Sequence, residues 1–478
     1  MSHPIEELFN PRSIAVVGAS NNPQTAGYNF TDALLKYGYQ GNIYPVNPKY
    51  SEILGLKAYA TVKDIPGPVD YVISAVSAPL VPAMLKDCSH NGVKVIHLFT
   101  ARFSETGRSD AAKLEQEVLK LARGYGIRLI GPNCMGLFFP RLGISFSDAM
   151  PHENSGPVGL ISQSGQAVEE IVRSAALMGL FFSKAISYGN ALDFNECDFL
   201  DYLAQDPETK LILMYLEGLR DGRRFFDSLR QAAAQKPVVI LKGGRGQSGA
   251  RAVASHTASL AGSADLLQVV LAQAGAVSAD SMEEFIDLAV AFHYLPPIRG
   301  LHVGVMGGAG GASVLAADQC EAAGLDVIPI PAEIREELKS NGISIWDWIG
   351  NPVDHSIRGE DAKFDHSNML ALMAKNEKFD LLIVMFGEPH HERHKGRTAD
   401  DYLEEYRIEN CKPKPVMAIV PNRNLGIDHY ADWNWKIIYE IRSKLLAKGI
   451  PFYPSIGRAA KAAKKVADYY RRKESFGH

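Results

Sequence analysis

The sequence predicts an α/β protein built from three doubly wound Rossmann- or flavodoxin-like units. Three observations lead there. Short apolar runs alternate with segments of helical period along the whole chain, the pattern of parallel sheets covered on both faces. Three regions open the same way, with an apolar run, a turn rich in small residues and a helical pattern. The length, 478 residues, suits about three domains at an ordinary globular composition of 46% hydrophobic and 22% charged residues.

The first unit is placed at residues 1–145. Its opening strand is 13–17 (SIAVV), followed by the turn Gly18-Ala19-Ser20 and a helix over 28–37 that Gly38 stops. A second strand, 42–46, ends at Asn47-Pro48, and further apolar runs lie at 69–76, 93–99 and 127–130. A Pro-, Gly- and Ser-rich loop over 151–157 leads into the second unit, placed at 146–297. There a strand at 158–161 precedes a helix over 166–178. Later strands are expected at 211–216 and 238–241, and helices over 264–274 and 282–294. The stretch 295–300 (LPPIRG) reads as a linker into the third unit, placed at 298–478. That unit begins with a strand at 303–306, the glycine-rich turn 307–311 and a helix over 313–323, and has later strands at 381–385 and 416–419. The basic run 461–473 reads as the solvated face of a last helix.

Composition narrows the function classes. A net charge of -4 gives no global bias toward nucleic acid. Five scattered cysteines without a CxxC pair argue against a zinc site or a disulfide framework and fit a reducing cytoplasm. The N-terminal MSHPIEELFNPRS has no apolar leader core, and no apolar run approaches a membrane span.

The chemistry concentrates in a few turns. Residues 242–249 (KGGRGQSG) run into Ser255-His256-Thr257, with a new helix beginning near Ser263. Glycines free the backbone there, and cations with unpaired N–H groups attract phosphate. An imidazole in that setting can attack phosphorus and carry the phosphoryl group covalently, whereas the bland alternative is a polar surface histidine. Such a ring needs a group to orient its second nitrogen. Glu217, at the end of the 211–216 strand, lies on the edge where α/β sites form, unless it merely caps a helix or faces solvent. Ser162-Gln163-Ser164-Gly165 lies between strand and helix and suits an anion, or else its serines simply cap the helix. Gly18-Ala19-Ser20 stands where a nucleotide phosphate docks but does not complete GxGxxG. The second strand ends in Asn47-Pro48-Lys49, with a cation where an NAD site has an acid. This suits a phosphorylated ribose, as in CoA or NADP, or is a surface lysine at a turn. Gly131 to Gly136 (GPNCMG) turns Asn133 and Cys134 toward the same crevice, with Cys134 read as a packing cysteine rather than a nucleophile. The 307–311 turn permits close approach to a ligand or to another domain.

Together these segments resemble the NDP-forming acyl-CoA synthetases, relatives of the succinyl-CoA synthetase alpha subunit. The matching stretches are SIAVVGAS, GYQGNIYPVNPKY, GPNCMG, GLISQSGQAVEEI, DPETKLILMYLEGLRDGRRF, KPVVILKGGRGQSGARAVASHTASLAGS, AGGASVLAADQCEAAGL and NPVD at 351–354. The resemblance implies a CoA-binding Rossmann domain, a phosphohistidine domain and a third flavodoxin-like ligase domain. It makes His256 the phosphorylated residue and Glu217 the support of its ring. It assigns the phosphate to Ser162, Gln163, Ser164 and Gly165, and CoA to Gly18, Ala19, Ser20, Lys49, Asn133 and Cys134. It implies an acid–thiol ligase reaction through an acyl phosphate. ADP or ATP and Mg²⁺ would be held on an ATP-grasp beta subunit, with no metal ligands on this chain. Two positions depart from the family pattern: Ala258 follows Ser-His-Thr where the family has glycine, and Arg102 replaces a small residue in 100–105 (TARFSE). Arg102 either faces the acyl pocket, favouring an acid with a second anionic group, or points outward. Two other classes remain to be separated: a CoA-binding regulatory or scaffold protein with an inactive relay, against which the presence of both His256 and Glu217 speaks, and an NADP-dependent oxidoreductase, which the incomplete glycine fingerprint disfavours.

Overall fold

The computed structural model describes residues 4–151, 154–249, 251, 264–344, 346–354, 364–387, 396–420 and 432–476. The chain divides into two compact units, Met1–Phe285 and Ile286–His478. The expected α/β architecture is present, as three mainly parallel sheets flanked by helices.

Two sheets share the first unit. The first sheet uses β1 (Ser13–Val17), β2 (Asn42–Val46), β5 (Tyr71–Ser74), β6 (Val95–Leu98) and β7 (Arg128–Ile130), with a short hairpin of β3 (Glu52–Ile53) and β4 (Leu56–Lys57) between β2 and β5. Its order is β2-β1-β5-β6-β7, all parallel. β1, β5 and β6 are buried along their whole length, as strands covered on both faces must be, so each reads as a near-continuous apolar run. The helix Ala26–Lys36 starts two residues before the expected position because Thr25 caps it, its hydroxyl accepting from the Tyr28 N–H.

The second sheet uses β8 (Gly136–Phe138), β9 (Val158–Ser162), β10 (Phe182–Ser187), β11 (Leu211–Leu216), β12 (Val238–Lys242) and β13 (Val277–Ala279) in the order β13-β12-β11-β9-β10-β8. Only β8 runs antiparallel, against β10. β10 carries no apolar signature because three of its buried residues, Ser183, Lys184 and Ser187, are polar. Lys184 is neutralised by Asp206 at 2.9 Å and Glu208 at 2.6 Å, and Ser183 shares a 2.8 Å hydrogen bond with Thr209.

In the second unit β14 (Val303–Gly307), β15 (Leu381–Met385), β16 (Val416–Ile419) and β17 (Phe452–Tyr453) lie parallel in sequence order. Asn351 stitches the start of this sheet: its amide donates to the Val303 and Ile328 carbonyls and its Oδ1 accepts from the Val305 N–H. Within the second unit Asp287 receives a bidentate pair from Arg458 at 2.7 and 2.8 Å. The last helix, Ile456–Phe476, buries Ala459, Ala460, Ala462, Ala463, Val466 and Ala467 and exposes Lys461 and Lys473, as its basic run predicted.

In both sheets of the first unit the chain reverses its direction of winding, between β1 and β5 and between β9 and β11. Such switch points open a crevice at the carboxyl ends of the strands. The first crevice is tightly built. A Cβ on Gly27 would lie 1.9 Å from the Gly18 carbonyl oxygen, so the helix start rests directly on the turn after β1. Gly27→Ala should therefore cost about 1–3 kcal/mol, seen as a lower urea midpoint at unchanged slope. A neutral substitution would contradict this close approach.

Candidate active site

At the first switch point the turn after β1 is held by backbone and amide bonds. Gly18 has φ +92°, and its N–H donates to the Val46 carbonyl at 2.9 Å. Ala19 is buried, and its carbonyl accepts from the Asn47 side chain at 2.8 Å. Ser20 is half-buried and its hydroxyl accepts from the Asn22 N–H. Lys49 is exposed, and its backbone N–H donates to Asn47 Oδ1 at 3.0 Å. The structure thus gathers Gly18, Ala19, Ser20 and Lys49 around Asn47. Gly27 completes the turn; its signal in the sequence was a second glycine nine residues after Gly18.

The second switch point gathers Ser162, Gln163, Ser164, Gly165 and Glu217. The Ser162 hydroxyl accepts from the Ser164 N–H and donates to the Ser164 carbonyl. Ser164 caps the helix Gly165–Ala176 by accepting from the Ala167 N–H. Ser164 therefore does the capping that was the simpler reading of this pair, while Ser162 closes the turn before it. The helix start still presents the N–H groups of Gly165 and Gln166, which have no acceptor among the described residues. Gln163 is buried, and its Oε1 accepts from the backbone N–H groups of both Glu217 and Gly218, the latter at 2.9 Å. Its carbonyl end thus clamps the chain that carries Glu217.

Glu217 itself is 7% exposed. Burial pushes the Tyr215 phenol up to about 12, and the neighbouring Glu217 charge adds to the shift. The Lys242 ammonium donates to the Glu217 carbonyl at 2.8 Å and to that of Gly243. Burial draws the pKa of Lys242 down, and the Glu217 charge opposes the shift. Gly243 leaves the C-terminal end of β12 beside Tyr215, where a Cβ would come within 2.6 Å of the phenol oxygen. His256 lies outside the described residues, between Arg251 and the helix Ala264–Gln273.

A third group of loops joins the two sheets. Residues 190–194 follow β10 and cover the edge of β7: the N–H groups of Asn190, Leu192 and Phe194 donate to the carbonyls of Pro132, Gly131 and Leu129. Asp193 accepts from Arg128 Nε at 2.7 Å and from the Leu129 N–H. Gly189 has to be glycine, since a Cβ would lie 2.2 Å from the Pro132 carbonyl oxygen. Asn190, 4% exposed, donates through Nδ2 to Glu105 Oε2 at 2.7 Å, and its backbone carbonyl accepts from Arg220 at 2.7 Å. The same Glu105 carboxylate accepts from the N–H groups of Arg102 and Phe103. Five non-glycine residues among those described have left-handed backbones, and Arg102 (φ +73°), Asn133 (φ +59°) and Ala191 (φ +55°) belong to these three mutually bonded loops. Strain of this kind persists where surroundings over-determine it, a hallmark of functional loops. Nothing in the sequence marked Asn190 or Arg220 individually, because their roles come from loops far apart in the chain; Lys242 stood in the basic 242–249 stretch, where it was read as attracting phosphate rather than as holding the Glu217 carbonyl.

Asn133 is half-buried, with its amide 3.5 Å from Asn190 Oδ1. Cys134 is buried, its Sγ 3.7 Å from the Leu98 carbonyl, and burial pushes its thiol far up; it packs under the loop, as a packing cysteine should. Beneath it His97, 1% exposed, donates Nε2–H to the Cys134 carbonyl at 2.9 Å. Desolvation draws the His97 pKa down from 6.5 to about 4. The guanidinium of Arg102 is exposed and has no partner among the described residues.

Two measurements test this geometry. The unfolded chain protonates His97 near pH 6.5 and the folded chain only near 4, so its contribution is complete above 6.5 and is lost as the pH falls to 4. The loss amounts to about 3 kcal/mol. In urea titrations between pH 7 and 4, His97→Gln should show a visibly shallower fall in stability than the parent; equal slopes would reject the assignment. Arg102→Gly relieves a left-handed side chain and should raise stability by up to about 1 kcal/mol. A lower melting temperature would reject strain relief at this position.

Comparison with known proteins places the chain in a family. Residues 12–140 match the family model of a CoA binding domain, and residues 155–292 that of a succinyl-CoA ligase like flavodoxin domain. Acetate–CoA ligase [ADP-forming] II subunit alpha of Pyrococcus furiosus is 38% identical over 421 residues, 87% of this chain and 89% of that protein. Acetate–CoA ligase [ADP-forming] I subunit alpha of the same organism is 34% identical over 472 residues, 96% of each. Among solved structures, dinucleotide forming acetyl-coenzyme A synthetase 1 of Ca. Korarchaeum cryptofilum, in complex with phosphate and ADP, superposes with a TM-score of 0.81 at 30% identity, covering 99% of this chain and 98% of that one. With relatives of 38% and 34% identity matched over nearly their full length and a CoA binding domain followed by a succinyl-CoA ligase like domain, this chain belongs to the ADP-forming acyl-CoA synthetases, acid–thiol ligases, and is of their alpha-subunit type.

Proposed function

We propose that this chain carries a phosphoryl group on His256 between an acyl phosphate and a nucleotide, in the reaction acyl-CoA + ADP + phosphate ⇌ carboxylic acid + CoA + ATP. The observation that carries the proposal is the placement of Glu217. It is a buried carboxylate at the β9/β11 switch point, clamped by Gln163 and adjoining the helix start that Ser164 caps. The stretch with His256 leaves from the end of β12, the neighbour of β11, so the histidine is tethered to the same sheet edge.

In this reading CoA occupies the first switch point, around Gly18, Ala19, Ser20, Lys49 and Asn133, with Cys134 packing beneath the loop. Phosphate is held by the N–H groups of Gly165 and Gln166, with the Ser162–Ser164 turn shaping the cradle and the helix dipole favouring the anion. A phosphate oxygen attacks the thioester carbonyl, the C–S bond breaks, and CoA departs as the thiol with the proton. A neutral ring nitrogen of His256 then attacks phosphorus, and the P–O bond to the acyl group breaks, releasing the carboxylate. Glu217 accepts the N–H of the other ring nitrogen and stabilises the cationic ring as the P–N bond forms. Transfer to ADP reverses this step. The glycines at 243, 244 and 246, ahead of the helical turn at 247–249, support a tether that presents the histidine at two places.

Nucleotide and Mg²⁺ are assigned to an ATP-grasp beta subunit. Among the described residues no group of three or more His, Cys, Asp or Glu is placed to hold a metal ion. The alpha-subunit relatives support a hetero-oligomer. Among the described residues no helix is long and apolar enough to cross a membrane. The five free, buried cysteines and a nucleotide substrate support a cytoplasmic setting.

The chain incubated with an acyl-CoA and labelled phosphate should acquire acid-labile, base-stable label. His256→Ala should abolish it, and Glu217→Gln should slow its formation by about 100-fold or more, the scale of a lost charge-stabilising partner. CoA binding without label would instead indicate a regulatory protein with an inactive relay.

A further inference from the structure

The loop that positions the thioester and the loop that carries Glu217 belong to different sheets, yet acyl transfer requires them in register. Asn190 touches both. Its Nδ2 reaches the Glu105 carboxylate at 2.7 Å, its Oδ1 lies 3.5 Å from the Asn133 amide, and its backbone carbonyl takes Arg220, three residues beyond Glu217. Glu105 closes the other side, because its carboxylate also gathers the N–H groups of Arg102 and Phe103 and so fixes the loop after β6.

We propose that Glu105 and Asn190 are positioning residues, forming a latch that aligns the CoA-binding half of the first unit with its phosphate-relay half. The proposal rests on the relay described above. A carboxylate is the right partner at position 105 because it only accepts, and every group it meets there is an N–H donor. An amide at 105 would turn one of its own N–H groups toward a donor. A carboxylate at 190 would face the Glu105 carboxylate across 2.7 Å. Making both changes together restores complementarity, since the amide oxygen at 105 still receives the backbone N–H groups while its NH₂ donates to the new carboxylate at 190.

The test is a double-mutant cycle on the full chain with its partner subunit. Three quantities are followed for Glu105→Gln, Asn190→Asp and the double variant: CoA affinity, histidine labelling from labelled ATP, and histidine labelling from labelled phosphate plus an acyl-CoA that the parent turns over. Each single change should slow the acyl-CoA-dependent labelling by about 10- to 100-fold, the scale of a displacement near 1 Å. CoA affinity and ATP-dependent labelling, which each use one half only, should stay within about 3-fold, and the double variant should recover most of the acyl-CoA-dependent rate. The latch is overturned if the single variants label from acyl-CoA at the parental rate, if the double variant is no faster than the slower single one, or if all three quantities fall together, which marks a merely structural role. Absence of both labelling reactions in the parent would instead overturn the relay itself, and the latch with it.

Discussion

The first unit depends on a reciprocal exchange of edges between its two sheets. β8 leaves the CoA-type sheet and pairs antiparallel with β10, while residues 190–194, which follow β10, return to cover β7. Each sheet thereby satisfies the other's exposed N–H and C=O groups, which would otherwise be unpaired at an edge. The exchange also has a geometric result. The loops at the carboxyl ends of β6 and β7 meet the loops after β10 and β11 through Asn133, Asn190, Glu105 and Arg220.

Within that frame the site is built mostly from backbone. The Gly18 turn, the helix start at Gly165 and the Glu217–Gly218 segment present amides, and the side chains nearby hold those amides in place: Asn47 on Ala19, Gln163 on Glu217 and Gly218, and Lys242 on the carbonyls of Glu217 and Gly243. Preorganised dipoles of this kind suit a phosphate or a developing oxyanion, because they need not reorient when charge arrives. The single carboxylate among them, Glu217, is buried beside Tyr215 and the Lys242 ammonium, so it stands in a setting designed around charge. Arg102, by contrast, keeps an exposed guanidinium on a left-handed backbone, and of the two readings of that residue the structure shows only its place at the junction and its anchorage through Glu105.

Much of this was legible in the chain itself, for local physical reasons. Strands buried on both faces are apolar throughout, so β1, β9, β11, β12, β14 and β15 declared themselves. Turns that demand glycine or a capping hydroxyl left Gly18, Ser162 and Ser164 visible. β10 stayed hidden because its charge is cancelled by Asp206 and Glu208, which follow it by some twenty residues. β8 stayed hidden because its three residues run on from the glycine turn 131–136 and straight into Phe139, with no break that sets them apart as a strand.

The division between chain and fold follows from the range of each force. Period, turn chemistry and capping act over a few residues, so the succession of strands and helices, the phosphate-suited turns and the candidate histidine and glutamate can be read along the chain. Which sheet a strand joins, which carboxylate neutralises which lysine, and which amide clamps Glu217 depend on contacts between residues 54 or 85 positions apart, as with Gln163 and Glu217 or Glu105 and Asn190. Such pairs carry no local signature, and only the packed arrangement of two sheets, each closing the other's edge, selects them.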